Sequence, residues 1–150
     1  TPIAAVANEA LKARVAAAIG GARVVSMGES RFDWCAELAN EAEVCGVRPD
    51  FGAIAALGKR GLIVTARGGE SGADFVSRFF APQSGVPEDP VTGSAHCALT
   101  PLWAERLGQR ELRARQLSAR GGELACTLDG ERVRLAGRAV LYLRGEITLP

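Results

Sequence analysis

Residues Gly93 to Leu107 constrain this chain most, because their helical run is apolar on nearly every side. Ala95, Cys97, Ala98, Leu99, Leu102, Trp103, Ala104 and Leu107 fall around most of a helical circumference. A helix of that kind has no face for water and is expected inside a core. Pro101 falls within the run and should kink it, since proline removes a backbone donor and crowds the preceding turn. Whatever else folds here must wrap around this segment.

The material available for wrapping is mostly β. Arg31 to Leu38 alternates Phe32, Trp34, Ala36 and Leu38 against Arg31, Asp33, Cys35 and Glu37, which predicts a half-buried strand preceded by a short one over Arg23 to Met27. Gly61 to Ala66 and Asp74 to Phe80 read as the arms of a hairpin across a glycine-bearing turn, Gly68 to Ala73. Further strands are expected at Leu112 to Ser118, Glu123 to Leu128, Arg132 to Leu135 and Ala139 to Leu143. Asp129-Gly130 is expected to form a type I′ turn. Two other helices are expected: an alanine-rich one from Asn8 to Ile19, stopped by Gly20-Gly21, and a short one after Pro49 with Asp50 as N-cap. The fold class is thus α+β, antiparallel strands around one buried helix, with all 150 residues in a single domain.

Composition removes several function classes. The 18 basic residues, all arginine except Lys12 and Lys59, meet 17 acidic ones, so no charge surplus points to nucleic acid or to an anionic membrane. No apolar run approaches the ~20 residues of a bilayer span. One histidine, His96, rules out a two-histidine metal site within one copy, and the cysteines Cys35, Cys45, Cys97 and Cys126 contain no CxxC pair. Dispersed thiols without a signal peptide fit a reducing, cytoplasmic location. Gly58-Lys59-Arg60 lacks the spacing and the following Ser/Thr of a P-loop. Arg113 and Arg115 are expected on a solvated strand face.

Chemistry concentrates where the helix begins. Ala81 to Pro90 holds three prolines and leads into Glu88 to His96, EDPVTGSAH. Pro90 fixes the chain, Thr92 is placed to cap, and Gly93-Ser94 opens the helix with bare N–H groups. Those donors and the positive end of the macrodipole favour a carboxylate or phosphate, in a mouth expected to be partly enclosed. Asp89 stands just ahead, either as a proton-handling group or as a turn-closing residue. Ser94 is either a ligand donor or a first-turn residue bonded to its own backbone. His96 and Cys97 are neighbours on a helix and do not face each other, so they are no nucleophile and base pair. Arg120-Gly121-Gly122 offers an arginine and bare backbone to an acid, or simply a turn.

These residues carry a resemblance. The run VSRFFAPQSGVPEDPVTGSAHCALTPLWAERLG from Val76 to Gly108, followed by QLSARGG and preceded by SRFDW and GLIVTARG, closely resembles the second half of the PhzF family. These are phenazine-biosynthesis-like isomerases with the diaminopimelate epimerase fold. The resemblance implies two halves, each a curved antiparallel sheet around a central helix, with the active site between them. It implies cofactor-independent proton removal and return on a small carboxylate-bearing substrate, without metal. Asp89 then matches the family's active-site aspartate, and Gly93 and Ser94 its substrate-holding pair. Thr92, His96 and Gly121 complete the expected binding set, His96 alternatively serving as a hydrogen-bonded structural residue. The family's general-base glutamate belongs to the other half, whose GNP-containing segment has no counterpart here. A second domain or a second copy, making a homodimer, is therefore expected to complete the cleft; the alternative is a non-catalytic anion-binding or protein-interaction module.

Overall fold

A computed structural model describes residues 2–149. The elements run β1 (Ala4–Ala5), α1 (Glu9–Ala18), β2 (Val24–Glu29), β3 (Asp33–Leu38), α2 (Glu41–Gly46), α3 (Phe51–Ala55), β4 (Gly61–Arg67), β5 (Phe75–Phe80), α4 (Gly93–Leu107), β6 (Glu111–Gln116), β7 (Gly122–Asp129) and β8 (Arg132–Ala136). A 3₁₀ turn at Pro82–Ser84 follows β5. All the strands join one open sheet in chain order, β1 to β8.

The α+β class holds, but the sheet is mixed rather than antiparallel. β3 and β4 pair in parallel, as do β5 and β6, and every other join is antiparallel. A parallel join needs a crossover long enough to bring the chain back to the same end. The helices α2 and α3 supply the first crossover, and the proline-rich loop with α4 supplies the second.

The two crossovers lie on opposite faces, so the central strands are covered on both sides. Leu62, Val64 and Ala66 of β4, with Val76 and Phe80 of β5, pack among Val15 and Ile19, Val44, and Ile54 from the region of α1, α2 and α3. Ile63 of β4, with Phe75 and Phe79 of β5, packs against Ala95, Leu99 and Trp103 of α4. Dual coverage corrects the half-buried reading of β3: Cys35, Ala36 and Leu38 are all buried, and Asp33 with them. Phe32, expected inward, precedes the strand and is 50% exposed.

Three helices start with a side-chain cap, Asn8 accepting from Leu11 N–H, Asn40 from Glu43 N–H and Asp50 from Ala53 N–H, each at 2.9 Å. Within α4, Leu99, Thr100 and Trp103 are buried, Pro101 lies inside without ending the helix, and Gly108 closes it at φ +66°. Trp103 stacks on Phe75 at 6.0 Å and donates from Nε1 to Thr65 Oγ1 at 3.0 Å. The β7–β8 turn is shifted by one residue from expectation. Asp129 pairs with Arg132, leaving Gly130-Glu131 as the loop, and only Gly130 has positive φ. That excludes type I′, which needs positive φ twice.

The stretch Ala139 to Leu143 is not a strand, and Val140 to Leu149 lies outside the sheet. Val140, Tyr142 and Ile147 are 90%, 98% and 88% exposed. Among the described residues no helix is long and apolar enough to cross a membrane.

Candidate active site

The loop before α4 is tied down at almost every residue. Ala81 bridges to Val86, and Glu88 forms a two-pronged ion pair with Arg78 at 2.7 and 3.0 Å. Asp89 N–H donates to the Phe79 carbonyl at 3.0 Å, and the Pro90 carbonyl accepts Ser118 Oγ at 2.8 Å. The proline-rich sequence here is a braced segment laid against the ends of β5 and β6.

Gln116, the last residue of β6, supplies the central brace. It is fully buried. Its Oε1 accepts Thr92 N–H at 2.8 Å, and its Nε2 donates to the Asp89 carbonyl at 2.5 Å and to Thr92 Oγ1 at 3.2 Å. The sequence reading missed this residue. Its polar side chain in an inward strand position, following Leu112 and Ala114, is the only trace it leaves in the sequence.

Thr92 occupies the N-cap position, yet its hydroxyl caps nothing: it donates to the Asp89 carboxylate. This corrects the capping expectation and has a chemical consequence, because the first turn of α4 receives no side-chain acceptor. Gly93 and Ser94 are exposed there, and Asp89 stands half-buried beside Thr92. Orphan N–H donors, a serine and a carboxylate thus meet at one surface.

His96 sits behind this surface. It is fully buried, with its ring 5.9 Å from Phe75 and Nδ1 2.8 Å from the Thr92 carbonyl. Burial holds its imidazole below the ordinary value. Its placement fits the structural alternative and does not put the ring at the opening. Gly121, at φ +71°, closes the Ser118 loop by donating to Ser118 Oγ at 3.0 Å, and that same hydroxyl holds Pro90. At Gly122 a Cβ would fall inside the Val91 side chain, so β7 approaches the loop as closely as a glycine permits.

A second feature missed from sequence lies on the other side of the helix mouth. Arg60, dismissed with its failed P-loop, reaches Ser94 Oγ with Nη2 at 3.0 Å. It grips Asp33 through Nε at 2.9 Å and Nη2 at 2.5 Å. That hydrogen-bonded carboxylate holds the guanidinium above its ordinary value. The neighbouring Lys59 pairs with Glu29 at 2.8 Å.

The mouth is open. A cavity of about 380 Å³ is lined by Ser71, Arg113, Arg115, Glu123 and Arg138 among others and takes in none of the EDPVTGSAH residues. Gly93 and Ser94 are both exposed, so the expected partial enclosure is not found at these two residues. The four cysteines are free thiols, Cys35 and Cys126 buried and Cys45 exposed.

Residues 6–145 match the family model described as phenazine biosynthesis-like protein. An uncharacterized isomerase of Pseudomonas aeruginosa is 62% identical over 112 residues, 75% of this chain and 42% of that protein. Another uncharacterized isomerase, from Halalkalibacterium halodurans, is 43% identical over 86% of this chain and 49% of its own length. A crystal structure of a phenazine biosynthesis PhzC/PhzF protein from Clostridium difficile superimposes with a TM-score of 0.85 at 36% identity, covering 99% of this chain and 55% of that one. The chain spans less than half the length of these two curated relatives.

Proposed function

Because the chain belongs to the PhzC/PhzF family of phenazine biosynthesis-like proteins, we propose that it forms the second half of a PhzF-like isomerase acting on a small carboxylate-bearing metabolite. One observation carries the reading: Asp89 is fixed by Phe79, Gln116 and Thr92 beside an uncapped helix terminus. In this reading the substrate carboxylate rests on the first turn of α4, at Thr92, Gly93 and Ser94. Asp89 then faces the carbon whose proton moves. His96 and Gly121 act from behind, one holding the Thr92 carbonyl and the other shaping the loop that holds Pro90.

Acid–base isomerisation needs one group to take the proton and another to return it. This chain contributes one carboxylate at the mouth, and the second group comes from a body that covers it. Two features support such a body: Gly93 and Ser94 are exposed at the mouth, and the segment after β8 exposes Val140, Leu141, Tyr142 and Leu143 together. A consecutive apolar run of this kind suits a strand buried inside another sheet. A second copy is the simplest covering body, bringing a second Asp89.

Following deuterium from solvent into small linear and cyclic carboxylates tests the reaction. Exchange that disappears in Asp89→Asn is the expected result. Binding without exchange, in the self-associated protein, favours a non-catalytic anion-binding module instead. Sedimentation tests the covering body: a dimer is expected, and a strict monomer at micromolar concentration removes the second copy and leaves a first-half partner.

A further inference from the structure

Three elements distant in sequence converge on the Ser94 hydroxyl. Asp33 opens β3, Arg60 immediately precedes β4, and Ser94 lies in the first turn of α4. The parallel register sets Asp33 opposite Gly61, which places Arg60 at the same end of the sheet as the Asp33 carboxylate. That carboxylate is buried, with 3% of its side chain exposed, while the guanidinium is 37% exposed. The arrangement is therefore a buried anion holding a cation at the surface.

The guanidinium is fixed in every direction that matters. Its Nε and Nη2 form a fork on the two Asp33 oxygens. Phe32 and Phe79 rings lie 5.3 and 5.5 Å from its central carbon. Both Nη2 hydrogens are then committed, one to Asp33 and one to Ser94 Oγ. Lysine has no planar fork with which to repeat this geometry.

The chemistry of Ser94 follows from donor counting. A hydroxyl has one hydrogen to give and two lone pairs to accept with. With Arg60 donating to its oxygen, the Ser94 hydroxyl proton is left to point elsewhere, and among the described residues it has no acceptor. We propose that Arg60 is a positioning residue that holds the Ser94 hydroxyl by one lone pair with its proton free to donate, so that the α4 mouth favours a carboxylate over an amino group. This inference rests on the reading that Ser94 holds the substrate carboxylate. Beside that hydroxyl, the first turn of α4 has no side-chain cap and the Arg60 Nη1 edge makes no hydrogen bond among the described residues.

Malonate serves as the probe, followed by the Ser94 and Ala95 amide signals in NMR titrations of the full chain, its Arg60→Lys and Arg60→Gln variants, Ser94→Ala, and the Arg60→Gln/Ser94→Ala double variant. Arg60→Gln is expected to weaken malonate about tenfold, with Arg60→Lys failing to restore it. In the Ser94→Ala background the same change at Arg60 should have little further effect, because the arginine acts through the hydroxyl. The Ser94 side-chain couplings, read without ligand, should change from one rotamer to an average when Arg60 is replaced.

The outcomes separate cleanly. Malonate affinity unchanged by Ser94→Ala, or no malonate response in the parent chain, overturns the carboxylate reading and this inference together. A Ser94 effect without an Arg60 effect, full rescue by Arg60→Lys, or additive losses in the double variant overturns the positioning role alone. A merely structural Arg60 would lower the melting temperature yet leave the Ser94 rotamer fixed, which also refutes the proposal.

Discussion

The Gln116 side chain accepts the Thr92 backbone N–H at 2.8 Å, joining the end of β6 to the start of α4. With its other end on the Asp89 carbonyl, it holds the turn that presents the Asp89 carboxylate. Gln116→Leu keeps the volume and removes both hydrogen-bonding ends, leaving a buried N–H and a constrained carbonyl without partners. We expect a loss of about 2 to 6 kcal/mol, at roughly 1 to 3 kcal/mol for each of the two unmade bonds. Gln116→Glu should cost less, since an oxygen still faces Thr92 N–H. Urea denaturation measures both; equal stabilities for the two variants would show that the clamp is not what matters.

His96 makes the fold sensitive to mild acid. Its folded imidazole titrates below the ordinary value because it is buried. The unfolded chain therefore takes up a proton first, near pH ~6.5. Stability is intact above that point and falls as the pH drops toward the folded value, with a slope of up to ~1.4 kcal/mol per pH unit. Asn at position 96 retains a side-chain amide beside the Thr92 carbonyl and cannot titrate. Stability curves of the two proteins should converge in acid, whereas parallel curves would contradict a buried neutral histidine.

The thiols should respond in sequence. Cys45 is exposed and Cys97 half-buried, while Cys35 and Cys126 are buried. Burial pushes the Cys35 thiol up to about 12, and that of Cys126 also upward, so neither forms thiolate at ordinary pH. A colorimetric disulfide reagent should label Cys45 rapidly and Cys97 slowly, with Cys35 and Cys126 appearing only on unfolding. Fast labelling of Cys35 in the native protein would mean that the β3 packing opens far more readily than described.

The segment after β8 is open to a direct trial. Ending the chain after Gly137 removes Val140, Leu141, Tyr142 and Leu143, none of which is packed in either core. The remaining domain should keep its unfolding midpoint in urea and lose self-association in sedimentation. A large drop in the midpoint would place these residues among the packed elements of the domain. Unchanged association would assign the interface elsewhere.

Legibility in the sequence follows the range of the interactions. Helix α4 and the Asp50 cap are local features, written in apolar spacing and in one side chain reaching three residues on, and both lie where the sequence puts them. Helix α2 escaped because its six residues bury only Val44, too little for a period to register. The parallel joins were hidden for another reason: alternation fixes which face a residue takes, while strand direction is fixed by what the intervening helices cover. At the site, Asp89, Gly93 and Ser94 are close in sequence and came as a group. Arg60 reaches Ser94 across 34 positions and is itself held by Asp33, 27 positions before it, and nothing local in either one's neighbourhood signals it.

The sheet order repeats the chain order, and this bears on synthesis. As the polypeptide leaves the ribosome, each new strand finds its neighbour already made, so no early edge must be kept vacant for a late arrival. The longest wait falls between β5 and β6, while the residues up to Arg110 emerge and α4 packs across Phe75 and Phe79. Asp89, Thr92 and Ser94 are all translated during that pause, yet their turn is clamped only when Gln116 arrives. The turn that carries Asp89 is thus expected among the last parts of the chain to take shape.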